Sequence, residues 1–435
     1  MPNLRVLLFL LSGISSTAQI TWQELPAMPE PVTNNAVTSA IVNGSTHIFS
    51  FTGMDTTKSC GQAHLRSYMY NTETANWTKI ADVPYALGGV VAAGASTIKN
   101  EIYVLGGYHI RDNCTEVSSR AVHRYNPATD DYTKLADLPI AIDDHVQAVY
   151  ADSLLYVITG WSNSTNVLQV QIYDPSQNEW TMGTPVPNDP EWRVFGASGS
   201  IINNTIYYSG GASLTCNNTV CFGPSKLLRR GDINPNDPTQ ITWSSEETDE
   251  AIGYRMAAVA AGSNFMWLGG ADLTYNFDGI DYNGTGGVEP NQRITTVNLA
   301  FEERAVYENV LPPSMDFRGI GKLDNNNFIL CGGMRENQTV SDKVYQVTVS
   351  GLVATKEYTT ATTLFPNPAA DEIHIAGELT AGRYYIFDAV GNIISNGAIQ
   401  EELDISFLNP GMYILTLQQD SKPAQYSRFI KVSKL

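Results

Sequence analysis

Short apolar runs bounded by Gly, Asn, Pro and Asp recur down most of this chain. One set covers residues 90–95, 102–105, 121–125 and 132–135, and its β-branched and aromatic residues favour strands. Between its last two runs lies Tyr125-Asn126-Pro127, and the next set has Tyr173-Asp174-Pro175 in the same place. Proline after Asn or Asp suits the second position of a type I turn. Each set therefore predicts a unit of four short strands.

Two landmarks repeat in phase with these sets. An aromatic residue is followed seven positions later by proline at Trp22 and Pro29, Trp77 and Pro84, Tyr132 and Pro139, and Trp180 and Pro187. A glycine pair or its relic closes an apolar run at Thr52-Gly53, Gly106-Gly107, Thr159-Gly160, Gly210-Gly211, Gly269-Gly270 and Gly332-Gly333. Consecutive glycine landmarks lie between 51 and 63 residues apart, near the roughly 50-residue period of kelch repeats. On these glycines, the Tyr-Asn/Asp-Pro turns and the fourth-strand aromatics, residues 19–350 resemble the kelch family of β-propellers. Units five and six depart from the pattern: Glu250 replaces the proline after Trp243, and Tyr307 is out of register with Pro312 and Pro313. Six landmarks imply an all-β fold of six blades. The lone opening strand, residues 20–25, is expected to complete the last blade beside residues 344–349 and close the ring.

The two ends read differently. Arg5, the apolar run 6–11 and Ser16-Thr17-Ala18 make residues 1–18 a secretory signal peptide. No other run approaches membrane-spanning length, so no integral membrane span is expected. Residues 351–362 form a Thr/Ala-rich linker. Residues 363–435 combine Phe365-Pro366-Asn367-Pro368, Asp388 with Gly391, Leu408-Asn409-Pro410-Gly411-Met412-Tyr413 and Arg428-Phe429-Ile430-Lys431. Their short strands and turns predict a small immunoglobulin-like β-sandwich. The motifs resemble the sorting domain of proteins exported by the type IX secretion system. That resemblance implies the type IX machinery as a partner, and a secreted or outer-surface location in a Gram-negative bacterium.

A formal net charge of −18 on 435 residues argues against nucleic acid as a partner, since such proteins present a basic face. Secretion permits disulfides. Cys60 and Cys114 each fall seven residues after a landmark glycine and are expected to staple adjacent blades. Cys216 and Cys221 share one loop and are expected to close a small ring. Cys331, in an apolar run, reads as a buried free thiol.

The loops that begin each blade carry the candidate chemistry. Aromatic-arginine pairs occur at Trp192-Arg193, Tyr254-Arg255 and Phe317-Arg318, Asp144-His145 stands in the corresponding loop of blade three, and Glu191 precedes the first pair. Guanidinium forks grip carboxylate and hydroxyl oxygens, and flat rings stack on sugars or cations. The expected function is an exported binding protein for a glycan or acidic saccharide, with a surface protein as the other ligand class. A carbohydrate epimerase or mutarotase using Glu191 or Asp144 as base is the enzymatic alternative. The mutarotase motif, a Glu directly after a second-strand glycine, is not reproduced at Ala212 or Met334. No nucleophile elbow, zinc helix or phosphate loop is present, and no cofactor is expected. Tyr275, Asp278, Asp281, Asn283 and Glu289 form an oxygen-rich insertion that is a candidate Ca²⁺ loop.

Overall fold

The computed structural model describes residues 18–217, 220–300, 303–351, 363–376, 379, 381–388, 392–419 and 425–433. The expected signal peptide and most of the expected linker lie outside them. Among the described residues the chain forms strands, two single-turn helices and no helix long and apolar enough to cross a membrane.

Six main sheets, four of four strands and two with a fifth, build the first unit, with smaller hairpin sheets beside them. Their innermost strands are Ala36–Val42, Val91–Ile98, Val146–Tyr150, Ser198–Ile202, Ala257–Ala261 and Gly321–Lys322, here blades one to six. Each neighbours the next in cyclic order, and the segment Arg318–Gly319 pairs in parallel with Ala36 and Val37, so blade six returns to blade one. The sixth sheet takes its outer strand from the start of the chain: Gln19–Leu25 lies beside Val344–Ser350. Trp22 packs edge-on to Tyr345 at 5.5 Å there. The six sheets close as the repeat count requires.

The two sequence landmarks have distinct physical jobs. The second glycine of a pair donates its N–H to the loop that begins the next blade. Gly53 reaches the Val90 carbonyl at 3.0 Å, Gly160 that of Val194 at 2.9 Å, and Gly211 that of Gly253 at 2.7 Å. Gly270 reaches Ser314 at 3.0 Å, and Gly333 closes the circuit at Val32 at 2.8 Å. Gly333 does so at φ +80, where an added Cβ would meet the Met315 carbonyl oxygen at 2.4 Å. Thr159 takes the first position of its pair at φ 47. Its hydroxyl has the Val167 and Val194 carbonyls as alternative acceptors for its one proton and accepts from the Val194 N–H, which offsets the strain of a β-branched residue there.

The fourth-strand aromatics join the blades at their outer edges. The indole N–H groups of Trp77, Trp180 and Trp243 donate to the carbonyls of Pro26, Ala136 and Thr184, at 3.1, 3.0 and 3.1 Å. The Tyr132 hydroxyl donates to Ala81 at 3.0 Å. Trp243 makes this bond although its unit lacks the proline, so the aromatic is the linking group. Apolar clusters fill the spaces between sheets. Phe49, Phe51, Val104 and Tyr125 pack between blades one and two, and Tyr156, Ile172, Ile206 and Tyr208 between three and four. Each such side chain contributes about 1.5–3 kcal/mol.

Cys60 and Cys114 form a disulfide between equivalent loops of blades one and two, and Cys331 is a buried free thiol. Cys221 is disulfide-bonded, while the side chain of Cys216 lies outside the described residues.

The second unit, by itself, is a three-stranded sheet and a four-stranded sheet around one apolar core. Leu364, Ile373 and Leu403 from the first sheet meet Ile386, Leu415 and Phe429 from the second. The sandwich expected from the sequence is present.

Two stability predictions follow from burial and cross-linking. The disulfide closes a loop with a sequence separation of 54. Cys60→Ser with Cys114→Ser should therefore lower unfolding free energy by about 2–4 kcal/mol, read from guanidinium titrations. Burial pushes the imidazoles of His64, His123 and His145 down to about 4, against about 6.5 in an unfolded chain. Between those values only the unfolded chain binds these protons. Stability should be full above about pH 6.5 and fall as pH drops toward about 4. His64→Leu removes two ring nitrogens that are buried without partners. It should reduce proton uptake on unfolding by about one in that window.

Candidate functional site

A ring of backbone hydrogen bonds surrounds the axis. Asn34, Ala92, Asp144, Gly196 and Arg255 all hold left-handed φ values of 56, 54, 47, 68 and 47. Ala92 donates to Asn34 and Asp144 to Ala92, each at 3.3 Å, Gly196 to Asp144 at 2.7 Å, Arg255 to Gly196 at 2.8 Å, and Phe317 to Arg255 at 2.9 Å. The ring brings the charged side chains of blades three, five and six to one point.

Arg255 lies at that point and is 0% exposed. Its Nε and Nη2 donate to the two carboxylate oxygens of Asp144 at 3.0 and 2.6 Å, and its Nη1 to Asp316 at 2.9 Å. The other Asp316 oxygen accepts from the Thr33 hydroxyl and the Asn34 amide. Arg318 donates from Nη2 to the His145 carbonyl at 2.7 Å and lies 3.5 Å from Asp144. The Tyr254 and Tyr275 rings stand 5.2 and 5.4 Å from the Arg255 guanidinium carbon, two cation–π contacts from rings that also meet each other. The channel beyond, lined by Gly94, His145, Gln147, Ser198 and Arg318, holds about 60 Å³. That suits a few waters and not a sugar ring.

Of the residues singled out in the sequence, Asp144, His145, Tyr254, Arg255, Phe317 and Arg318 gather here. Glu191, Trp192 and Arg193 do not. The counterpart of Arg255 in blade four is Gly196, each 14 positions before the first glycine of its pair. The aromatic-arginine signal at Trp192-Arg193 is three residues out of register. Gly196 must lack a side chain, because a Cβ there would meet the Tyr254 ring at 2.1 Å. Trp192 packs edge-on to Trp243 at 6.1 Å, and with Glu191 lines a separate depression of about 420 Å³ on blade four.

The acidic-saccharide expectation needs correction on charge. Arg255 and Arg318 face Asp144 and Asp316, so the charges of the cluster balance and the Arg255 guanidinium is occupied. Asp144 is enclosed by them and is not placed as a free base. The Ca²⁺ reading of the blade-five insertion fares similarly. Asp281 spends its carboxylate on Asn283 and Thr285, and Glu289 on Asn337 and Gln338. Among the described residues no three His, Cys, Asp or Glu side chains converge as a metal would require.

The same insertion covers the axis. Phe277 packs with Met54, Val91, Tyr108 and Ile110 of blades one and two. Lys58 donates to the carbonyls of Asp278 and Gln338, both at 2.8 Å. Beside this cover lies an aromatic platform. Trp161 stands 5.4 Å from Phe195 and 5.7 Å from Phe222, and Phe222 stands 4.9 Å from Tyr282. Trp161, Phe222 and Tyr282 are partly buried, and their rings meet edge-on or tilted. The Tyr254 and Tyr275 rings are fully buried, and the Tyr282 side chain lies beside Tyr254. Glu116 opens the short strand Glu116–Ser118, is exposed, and lies opposite Ile110.

Sequence reasoning missed Trp161, Phe222 and Tyr282. Trp161 directly follows Gly160, a position the repeat marks. Phe222 and Tyr282 sit in irregular loops that no spacing identifies.

Comparisons with known proteins agree with this architecture. Residues 12–211 match the KLHDC2/KLHL20/DRC7 Kelch-repeats domain, and residues 363–432 the Secretion system C-terminal sorting domain. Kelch-like protein terF of Aspergillus terreus is 30% identical over 28% of this chain and 27% of its own. Beta-scruin of Limulus polyphemus is 25% identical over 59% of this chain and 26% of its own. The chain thus spans about a quarter of the length of these curated relatives. The solved structure of YjhT superposes with a TM-score of 0.56 at 17% identity, covering 75% of this chain and 99% of that one. At that identity the likeness concerns the fold.

Arg255→Met would leave Asp144 and Asp316 buried without their main counter-charge. It should cost about 3–5 kcal/mol in chemical denaturation. Adding Asp144→Asn and Asp316→Asn should recover most of the loss. A single variant as stable as the parent would show that the ion pairs contribute nothing net.

Proposed function

For a kelch-repeat propeller that ends in a type IX sorting domain, we propose the role of a secreted or surface-displayed binding protein whose platform takes a saccharide ring. The observation that carries this reading is the cluster of partly buried rings Trp161, Phe222 and Tyr282, supplied by three blades. The apolar C–H face of a pyranose packs against such rings. Apolar walls with a few convergent polar groups are the usual make-up of a small-ligand site. The closed axis supports a site beside the cover, because the channel is too small and its charges are already matched.

The purified full chain on a glycan array, followed by calorimetry on the best oligosaccharide, tests this. Trp161→Ala and Phe222→Ala should each weaken binding by about tenfold or more with little change in melting temperature. Undiminished binding by the double variant would remove the platform as the site.

A further inference from the structure

The depression on blade four is a second opening in the surface, and none of its residues belongs to the aromatic platform. It is lined by Asp189, Glu191, Trp192, Pro224, Leu227 and Glu247 and holds about 420 Å³, within the roughly 300–1,000 Å³ of clefts that take small ligands. One buried guanidinium fixes its walls. Arg229 is 0% exposed, and it donates from Nε to the Glu191 carbonyl at 2.8 Å and from Nη1 to the Leu227 carbonyl at 3.0 Å. Two stretches of the lining backbone are thereby held by a side chain that no ligand reaches. Within the depression, polar groups are left over. The carboxylates of Glu191 and Glu247 have no ion pair and accept no hydrogen bond among the described residues. Asp189 accepts only the Glu191 N–H, at 2.8 Å. Lys226, also in the lining, is taken by Asp249 at 2.7 Å. Trp192 is 8% exposed, yet its indole N–H has no acceptor among the described residues. Trp77, Trp180, Trp243 and Trp267 each donate theirs to a backbone carbonyl. The Trp192 nitrogen is not among the sealed, unpartnered atoms, and the opening that Trp192 lines is this depression.

We propose that this depression binds a basic peptide segment, its Lys or Arg side chain paired with Glu191 and Glu247 and a backbone carbonyl accepting the Trp192 indole N–H. The site is separate from the platform and does not rest on the saccharide reading. Charge selects the ligand. The carboxylates of Asp189, Glu191 and Glu247 stand against one positive charge not already paired, that of Arg229 behind the wall. A cationic side chain supplies the missing charge through strong, charge-assisted hydrogen bonds. Pro224 and Leu227 give an apolar wall for its methylene stem. A bare metal ion fits less well, because among the described residues no three His, Cys, Asp or Glu side chains converge. A simple amine brings no acceptor for the indole N–H, whereas every peptide unit carries a carbonyl. A sugar hydroxyl also accepts that N–H but brings no charge to meet the carboxylates.

The test titrates the full chain, labelled with 5-fluorotryptophan, with two capped tripeptides at low salt. One is N-acetyl-Gly-Lys-Gly-amide; the other has norleucine for lysine, which keeps the apolar stem and loses the ammonium. Fluorine NMR follows the Trp192 signal, assigned by its loss in Trp192→Phe. The lysine peptide should move that signal and bind about tenfold tighter than the norleucine peptide. Glu191→Gln with Glu247→Gln should cancel the preference at an unchanged melting temperature, since neither carboxylate has a partner to lose. Glu73→Gln, at an exposed position on blade one, should keep it, which separates the depression from the overall negative charge of the chain. Equal binding of the two peptides, or a preference that survives the double variant or disappears in Glu73→Gln, overturns the proposal. So does a Trp192 signal that neither peptide moves, or one that a neutral oligosaccharide moves and the lysine peptide does not. None of these outcomes bears on Trp161, Phe222 and Tyr282, which lie outside the depression.

Discussion

The structure depends on backbone hydrogen bonds that pass from each blade to the next. A four-stranded sheet of this length has two exposed edges and two apolar faces, and alone it would be marginal. The glycine N–H groups that reach Val90, Val194, Gly253, Ser314 and Val32 fix where each following sheet begins. The second system, through Ala92, Asp144, Gly196, Arg255 and Phe317, does the same at the axis. Both use left-handed backbone, but only the first is recorded in the sequence as recurring glycine pairs; the axial one falls on Asn34, Ala92, Asp144, Gly196 and Arg255. Once the sheets are so placed, the faces have no alternative but to bury their Phe, Tyr, Ile and Val side chains against each other.

That constraint explains what was legible and what was not. Strand order, blade count, the closing role of residues 20–25 and the Cys60–Cys114 staple all follow from period and phase, because backbone bonds repeat with the chain. Side-chain roles do not repeat. In blade five the ring position carries Arg255, in blade three Asp144, in blade two Ala92 and in blade four Gly196. A search for three like residues at like positions therefore found the wrong third member at Arg193. The glycine spacing alone pointed to Gly196, and the attractive pairing of Trp192 with arginine obscured it. Phe222 and Tyr282 were beyond reach for a different reason: their hairpin and insertion interrupt the period, so nothing local says which way they face.

The axial ions also change the meaning of an arginine-rich mouth. A buried guanidinium with an empty partner would be a recognition element; one that donates three hydrogen bonds to two aspartates is a joint between blades three, five and six. Two carboxylates and one Arg255 would leave a buried negative charge, and Arg318 beside Asp144 removes it. The pairing costs desolvation on every member, so its gain over an apolar plug is specificity of arrangement more than stability. Only one rotation of each blade brings all four groups together.

The cover over the axis then decides where a ligand can sit. By sending Phe277 to blades one and two, the insertion of blade five closes the route along the channel. The same segment turns Tyr282 back toward Phe222 and Phe195 at 4.9 and 5.9 Å. Closing the centre and building the lateral platform are thus one event in one loop, and the platform inherits rigidity from the cover. Tyr275 joins the two, with its ring on Arg255 and its edge on Tyr254 at 4.9 Å. A ligand resting on Tyr282 would touch the joint between three blades through a single intervening ring. The aromatic cluster and the fit of the blades at the axis are therefore joined by direct packing through Tyr254 and Tyr275.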